Sequence, residues 1–137
     1  MHDNDVTADD LDIAARTVWA EARGEGDHGM RAVAHVIINR ATRGGWWGDT
    51  LETVCQKPWQ FSCWNENDHN REKLIALDKD HPEYKAALKA VSEALVAEDD
   101  PTMGSCHYHT KAVQPNWSEG KTPVAMIGNH KFFSDID

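Results

Sequence analysis

The feature that most constrains the fold is a pair of helical apolar repeats in the first third of the chain. In the first repeat, apolar residues recur at intervals of three and four, as on one face of an α-helix. They are Leu11, Ala14, Ala15, Val18, Trp19 and Ala22. Thr7 and Asp10 have the spacing of a capping box, and Gly24 and Gly26 interrupt the pattern at its other end. We therefore predict a helix from about residue 8 to the segment 23–26.

The second repeat predicts a helix that is apolar on nearly every side. Its apolar positions are Met30, Ala32, Val33, Ala34, Val36, Ile37, Ile38 and Ala41. A helix with so little polar surface is usually buried. Its one polar stripe consists of Arg31, His35 and Asn39, spaced by four. We expect this stripe either to face solvent or to line a cleft.

Beyond these repeats, the chain alternates between irregular and regular segments. Residues 43–70 are rich in Gly, Trp and polar side chains, and we predict a long irregular loop region there, of a kind that is often functional. A third helix is predicted from Pro82 to about Ala97, because Pro suits the first turn of a helix. Short strands are predicted at 105–110 and 123–127.

A last strand at 130–134 is predicted to follow 123–127 through a turn at Gly128–Asn129. Together, these elements predict an α+β fold, mainly helical with a small antiparallel β-sheet near the C-terminus. The length of 137 residues fits a single domain over 1–137, with its core at about 8–134.

Charge and hydropathy exclude several classes of partner. The net charge is −9 and no run of Lys or Arg is present, which argues against nucleic acid. No apolar run is long enough to span a bilayer, and the acidic start MHDNDVTADD does not resemble a secretory signal. We therefore expect a monomer that is synthesised in the cytoplasm without a signal peptide and does not insert stably into a membrane.

The counts of two residue types carry further information. Six tryptophans are many for this length, and several lie in Gly-, Pro- and polar-rich stretches, where a flat apolar ring suits stacking on a sugar. Cys55, Cys63 and Cys106 form an odd set, so a fully paired disulfide framework is excluded. We expect reduced thiols, with a Cys55–Cys63 bridge as the alternative.

Glu21 is the first candidate for chemistry. It lies in the last turn of the first predicted helix, at the boundary of the apolar face. Partial burial and the negative end of the helix dipole would both raise the pKa of its carboxyl. A carboxyl that stays protonated near neutral pH can donate a proton to a leaving-group oxygen, as glycosidic cleavage requires. Spacing alone favours the alternative of a solvated carboxylate at a helix end.

Several motifs resemble the cell wall hydrolase family that includes the catalytic domain of spore-cortex-lytic enzymes. The most specific are W-A-E-A-R-G-E-G at 19–26 and G-M-R-A-V-A-H-V-I-I-N-R at 29–40. The others are V-C-Q-K-P-W-Q-F-S-C-W at 54–64, C-H-Y-H at 106–109, P-N-W at 115–117 and I-G-N-H-K-F-F at 127–133. Their order and rough spacing agree with the family over nearly the whole chain.

The resemblance implies a fold related to lysozymes and lytic transglycosylases. It also implies cleavage of the β-1,4 bond between N-acetylmuramic acid and N-acetylglucosamine in peptidoglycan glycan strands, without a cofactor. Glu21 matches the catalytic acid of the family. A lytic transglycosylase uses this carboxyl alone and forms a 1,6-anhydro ring, whereas a muramidase normally needs a second carboxylate. We expect the transglycosylase, with the muramidase as the alternative.

Glu25 is the obvious second carboxylate. Its alternative is a structural role, binding backbone N–H groups at the start of the second helix, where negative charge is favoured. We expect the structural role rather than direct catalysis.

The remaining candidates are substrate-binding residues in segments that match the family. Gln60 is a candidate for hydrogen bonding to an N-acetyl group, and Trp59 and Phe61 for stacking on a sugar or packing in their loop. Tyr108 is expected to steady the charge that develops on the sugar, to hold Glu21, or to serve only as a core residue. Trp117 and His130 match the family pattern without a role separable from packing.

Two readings from other classes compete with a glycosidase. His107 and His109 lie at i and i+2 of a predicted strand, and His130, Cys106 or His35 would complete a zinc site, as in a zinc-dependent N-acetylmuramoyl-L-alanine amidase. However, neither an H-E-x-x-H nor a C-x-x-C motif is present, so we expect no metal. The second competitor is a non-catalytic glycan-binding module built on the Trp-rich loop.

The expected biological setting is that of a phage endolysin. A compact catalytic domain, with neither a signal nor an added wall-binding module, fits an enzyme that collects in the host cytoplasm. Such an enzyme reaches the wall from the periplasmic side through a phage-made pore. A bacterial remodelling or germination enzyme is the alternative.

Overall fold

The computed structural model describes residues 6–58 and 60–136. Its helices are α1 (Ala8–Ala22), α2 (Gly26–Arg43), α3 (Leu51–Gln56), α4 (His69–Ala76) and α5 (Pro82–Val96). Its strands are β1 (His107–Thr110), β2 (Ala125–Ile127) and β3 (His130–Phe133). The predicted α+β fold, mainly helical with a small sheet near the C-terminus, is confirmed.

Helix α1 begins where the sequence predicts. The Thr7 hydroxyl accepts a hydrogen bond from Asp10 N at 3.1 Å, and the Asp10 carboxylate accepts one from Thr7 N at 3.0 Å. This capping box satisfies two N–H groups that the first turn would otherwise leave free. Asp10 also accepts from Glu52 N at 3.0 Å and thereby ties the start of α3 to α1.

Helix α2 is apolar all round because it lies between two clusters of buried side chains. On one side it packs with α1 and α5, where Val18, Val33 and Val91 are almost inaccessible to water. On another side, its residues Ala32 and Val36 pack against Phe132 of the sheet. Helix α2 therefore joins the helical body to the sheet.

The polar stripe of α2 was expected to face solvent or to line a cleft. Two of its residues, His35 and Asn39, have a different role. His35 is buried, and the Asn39 amide donates to Asp100 Oδ2 at 2.8 Å and to the Ser105 carbonyl at 3.0 Å. These two side chains neither face solvent nor line the aromatic cleft described below. They hold the segment that leads from α5 to β1, where Asp100 supplies a carboxylate.

The prediction of a long irregular region at 43–70 is wrong in part. Helix α3 and the beginning of α4 lie inside it, together with 3₁₀ turns at Gly45–Trp47 and Ser62–Trp64. Thr50 caps α3 and Asp68 caps α4, accepting from Thr53 N at 3.1 Å and from Asn70 N at 2.8 Å. Both helices are short, so packing on α1 rather than an extended apolar repeat stabilises them.

The sheet is antiparallel with the order β1–β3–β2. Tyr108 of β1 pairs with Phe132 of β3. The turn between β2 and β3 contains Gly128 at a φ of 57°, which favours glycine. The predicted hairpin is therefore confirmed, and it places β3 in the centre, against α2.

The three cysteines are buried free thiols, as expected, and the alternative Cys55–Cys63 bridge is absent. Burial raises the pKa of Cys55 to about 12 and also raises the pKa of Cys63 and Cys106. These thiols therefore stay protonated and pack as small apolar groups. No helix within 6–58 and 60–136 has the length and apolar character needed to cross a bilayer.

Candidate active site

Glu21 lies in the last turn of α1, partly buried, at the point where the helical body meets the sheet. The Tyr108 hydroxyl donates to Glu21 Oε1 at 2.5 Å. Burial raises the pKa of the Glu21 carboxyl, and the charge of Asp68 adds to this effect. The Tyr108 hydrogen bond and the Arg40 charge act in the opposite direction without reversing it. Glu21 is therefore suited to release a proton during a reaction and to take one back.

Tyr108 is held rigidly beside this carboxyl. Its ring stacks on Phe132 with centroids 5.7 Å apart and meets the edge of His130 at 5.0 Å. Burial and the nearby Glu21 charge raise the pKa of Tyr108 well above its ordinary range. The phenol therefore remains a hydrogen-bond donor to Glu21, which is one of the roles anticipated for it.

Arg40 is a site residue that the sequence analysis missed. Its guanidinium lies 4.3 Å from the centre of the Trp47 ring and 4.9 Å from that of Phe61. Its Nε donates to the Cys106 carbonyl at 2.8 Å. Burial lowers the pKa of Arg40, and the neighbouring Tyr108, cysteine and Glu21 groups raise it in part. Four aromatic or acidic groups, from Trp47, Phe61, Tyr108 and Glu21, thus surround one buried cation.

An open cleft of about 600 Å³ lies beside Tyr108. We name it the aromatic cleft, and it is lined by Arg40, Arg43, Trp46, Trp47, Gln60, His107, Tyr108, Trp117 and Ile136. Flat aromatic rings beside a few polar groups are the usual lining of a sugar-binding site. Tyr108 both lines the cleft and contacts Glu21, so one side chain separates the described cleft lining from the candidate acid.

A second groove, of about 500 Å³, is lined on one side by Trp64 and the segment 65–68. Asp68 belongs to this groove and is near enough for its charge to raise the pKa of Glu21. Glu21 thus has Tyr108 of the aromatic cleft and Asp68 of the second groove as neighbours. The sequence analysis missed Asp68, whose position depends on where α4 begins.

The predicted substrate-binding residues occupy different environments. Gln60 is half-buried and Trp117 is 37% exposed, and both line the aromatic cleft. Phe61 is only 2% exposed beneath Arg40, so it packs in the core, which agrees with the packing alternative rather than with stacking on a sugar. His130 is also buried and supports Tyr108 from behind. Trp59 lies outside the described residues.

Glu25 ties the α1–α2 corner to the sheet. Its carboxylate accepts from Asn129 N at 3.1 Å and from the Asn129 side-chain amide at 3.4 Å, and it lies 3.4 Å from His130 Nδ1. It makes no side-chain hydrogen bond at the start of α2, where the structural alternative had put it. A Cβ atom on Gly29 would lie 2.3 Å from that of Glu25, so glycine is required for this approach.

The histidines proposed for zinc are arranged around an aromatic ring. His107 and His109 both contact Trp117, with centroids 5.2 and 5.4 Å apart, and His109 Nδ1 lies 2.7 Å from the Thr110 carbonyl. Within the part of the chain that the structure describes, no group of three His, Cys, Asp or Glu side chains is placed to hold a metal ion. These residues therefore line and support the aromatic cleft.

Comparison with known sequences places this chain in a family. Residues 24–133 match the profile of the Cell Wall Hydrolase family, a range that begins three residues after Glu21. The spore cortex-lytic enzyme of Bacillus cereus is 28% identical over 130 residues, which are 94% of this chain and 46% of that protein. The spore cortex-lytic enzyme of Halalkalibacterium halodurans is 27% identical over 123 residues, 90% of this chain and 34% of that protein. The chain thus spans less than half the length of these relatives.

Two solved structures share the fold. The catalytic domain of the Bacillus cereus SleB protein superposes with a TM-score of 0.76, at 28% identity, over 94% of this chain and 92% of that one. The catalytic domain of the germination-specific lytic transglycosylase SleB from Bacillus anthracis gives 0.75, at 28% identity, over 96% and 98%. Since the family profile also covers most of the sequence, this chain is an enzyme of the Cell Wall Hydrolase family.

Proposed function

We propose that this enzyme cleaves the β-1,4 bond between N-acetylmuramic acid and N-acetylglucosamine in peptidoglycan, as a lytic transglycosylase. The observation that carries the proposal is the Glu21 carboxyl, whose pKa is raised by burial and which accepts a hydrogen bond from Tyr108, a residue that lines the aromatic cleft. The likeness to the SleB catalytic domain, described as that of a lytic transglycosylase, supports the same reaction class.

In the first step, protonated Glu21 donates its proton to the glycosidic oxygen. The bond between this oxygen and C1 of the muramoyl residue breaks, and its electron pair leaves with the N-acetylglucosamine oxygen. The muramoyl ring then carries positive charge at C1 and its ring oxygen. The carboxylate left on Glu21 is stabilised by the hydrogen bond from Tyr108.

In the second step, the Glu21 carboxylate takes the proton of the C6 hydroxyl of the same muramoyl residue. The C6 oxygen attacks C1 and closes a 1,6-anhydro ring, and Glu21 regains its proton. No water is consumed and no second carboxylate takes part. The engagement of Glu25 with Asn129 agrees with this scheme, because it leaves Glu25 in a positioning role through the β2–β3 turn.

The alternative is hydrolysis, as in a muramidase, and the specific observation in its favour is Asp68. The charge of this carboxylate raises the pKa of Glu21, whereas the Glu25 carboxylate is engaged by Asn129. A hydrolytic reaction would therefore use Asp68 rather than Glu25 to activate water. The two reactions differ in their products, which makes them separable.

Mass spectrometry of digested peptidoglycan tests the proposal. We expect 1,6-anhydro-muropeptides from the wild type and none from Glu21→Gln. The matched control is Glu93→Gln, an exposed change on α5, which should cleave like the wild type. Reducing-end sugars that disappear in Glu21→Gln would indicate a muramidase. Intact glycan strands with released peptides, unaffected by Glu21→Gln, would contradict a glycosidase altogether.

Two finer expectations accompany this proposal. Gln60 and Trp117 are proposed to contact the sugars, because both line the aromatic cleft. A phage endolysin stays a prediction about biological origin, and a pore-forming phage protein encoded next to this chain would support it.

A further inference from the structure

The aromatic cleft differs in charge from the rest of the protein. The chain has a net charge of −9, yet the described residues that line this cleft include Arg40 and Arg43 and no Asp or Glu. The second groove, on the Asp68 side of Glu21, contains Glu66 and Asp68. An acidic protein that binds an anionic polymer needs a local region of positive charge, and the aromatic cleft provides one.

Arg40 contributes to this positive charge and also has a buried donor nitrogen without a hydrogen-bond partner among the described residues. The residue is 6% exposed, and its Nη1 has no hydrogen-bond partner within 6–58 and 60–136. Its position is fixed by the Trp47 and Phe61 rings and by the bond from Nε to the Cys106 carbonyl. A buried donor without a partner is costly, so its presence in a rigid setting at a cleft indicates an acceptor from outside the chain.

Arg43 lies one turn further along α2 and is exposed at the same cleft. Arginine presents a planar set of donors that matches a carboxylate better than lysine does. Two arginines, one fixed by its neighbours and one exposed to solvent, therefore suit a carboxylate rather than a neutral sugar hydroxyl.

We propose that the aromatic cleft binds a carboxylate of the substrate through Arg40 and Arg43. This inference rests on the proposed function, since it concerns the same substrate. In a glycan strand of peptidoglycan, carboxylates belong to the muramoyl residue or its stem peptide, whereas N-acetylglucosamine has none. The two arginines therefore direct the muramoyl side of the strand into the aromatic cleft.

The carboxylate has two sources in the wall. One is the lactyl carboxylate of a muramoyl residue that has lost its peptide, and the other is the set of carboxylates on the stem peptide. Binding to three preparations of insoluble sacculi separates these sources. The preparations are untreated sacculi, sacculi stripped of stem peptides by an amidase, and sacculi whose carboxylates are converted to methylamides.

The test uses Glu21→Gln protein, which binds without cutting, in a co-sedimentation assay. Arg43→Gln is added to this background because an exposed side chain can be changed without disturbing the core. Lys89→Gln, exposed on α5, is the matched control for the loss of one positive charge. We expect Arg43→Gln to raise the Kd for untreated sacculi about five-fold, a typical effect for one exposed charge pair, and Lys89→Gln to leave it unchanged.

Methylamidation is expected to raise the Kd of the background protein by at least the same factor and to abolish the further effect of Arg43→Gln. Tighter binding of stripped than of untreated sacculi supports the lactyl carboxylate, which the amidase sets free, and weaker binding of stripped sacculi supports the stem peptide. Unchanged binding after methylamidation, or an equal effect of Arg43→Gln on amidated and untreated sacculi, would overturn the proposal. Since binding is measured without cleavage, this result is independent of the product analysis that tests the reaction.

Discussion

Two partly buried carboxyl groups in this protein have pKa values shifted in opposite directions. Asp100, in the segment between α5 and β1, accepts hydrogen bonds from Thr102 N at 2.7 Å, Thr102 Oγ1 at 2.6 Å, Gly104 N at 2.9 Å and the Asn39 amide at 2.8 Å. Burial acts to raise the pKa of Asp100, but these bonds outweigh it and lower the pKa. Glu21 accepts from Tyr108, and for Glu21 burial prevails and raises the pKa.

The difference shows that the supply of donors, rather than burial alone, decides whether the pKa of a partly buried carboxyl is lowered or raised. A carboxylate surrounded by donors is stabilised as an anion and holds backbone in place. A carboxyl with one donor keeps its proton more readily and is free to exchange it during a reaction. Both residues lie within the same small fold, so each serves as a control for the other.

The largest effect is expected when the reactive carboxyl is removed. Glu21→Gln cannot donate or accept the proton, so we expect peptidoglycan cleavage to fall about 1000-fold, within the usual range for general acid–base catalysis. The melting temperature should stay close to that of the wild type, because no multi-donor network is lost. Clearing of a peptidoglycan suspension and a thermal melt measure the two quantities. Activity within ten-fold of the wild type would contradict the assignment.

Removing the Asp100 carboxylate should lower the stability of the protein and leave its activity unchanged, the opposite of the result expected for Glu21→Gln. Asp100→Asn is expected to lower the free energy of unfolding by about 2 kcal/mol, since hydrogen bonds to a charged group are lost. The cleavage rate of the folded protein should be unchanged. Asp99→Asn, an exposed neighbour, is the matched control in urea denaturation.

The pH dependence of this stability has a definite sign. Because the folded pKa of Asp100 lies below its ordinary value of 3.8, its contribution is complete above pH 3.8 and is lost as the pH falls through the folded pKa. The difference between wild type and Asp100→Asn should therefore shrink in strongly acidic solution. A difference that grows there would show that Asp100 is not held as an anion.

Changing the donor of Glu21 should produce an intermediate effect. Tyr108→Phe removes the bond that stabilises the Glu21 carboxylate, so we expect about a ten-fold loss of kcat, in line with the loss of one hydrogen bond to a charged group. Because this bond lowers the pKa of Glu21, its removal raises that pKa further. Activity that needs protonated Glu21 should then persist to higher pH. A pH–rate profile whose alkaline limb moves to lower pH would contradict this reasoning.

The smallest effect on activity is expected when the charge of Asp68, close to Glu21, is removed. Asp68→Asn removes a negative charge that raises the pKa of Glu21, so the alkaline limb of the pH–rate profile should move to lower pH. The maximal rate should remain within about three-fold, as expected for one partly solvated charge. Glu66→Gln, in the same groove, is the control. A loss of activity as large as that of Glu21→Gln would instead make Asp68 the second carboxylate of a hydrolase.

The sequence predicts those parts of the fold whose information is local. Helices α1, α2 and α5 follow from apolar repeats of several turns, and the β2–β3 hairpin follows from the Gly–Asn turn. Helices α3 and α4 have only six and eight residues, and in α4 the single buried residue is Leu74. With so short an apolar pattern, their stability depends on the helix they pack against, which the sequence does not reveal.

The candidate site is predictable only where a motif carries it. The resemblance predicts Glu21 as the catalytic acid, and the apolar repeat correctly places it at a helix end. Its partners Arg40 and Asp68 were missed because each is an ordinary charged residue in its own segment. Only the packing of α2 and the start of α4 bring these charges to the carboxyl. For Phe61 the sequence left sugar stacking and loop packing open, and only the tertiary structure shows that its ring is buried under Arg40.

The hydrogen bond between Glu21 and Tyr108 joins residues 87 positions apart, and this separation governs when the site comes into being. While the chain is synthesised, the carboxyl leaves the ribosome long before the hydroxyl that it will meet. A nascent or truncated chain that ends before β1 contains the acid but lacks the donor, Arg40's carbonyl partner and one wall of the cleft. The candidate site is therefore complete only after β1 has been synthesised, although its acid is among the first residues of the chain.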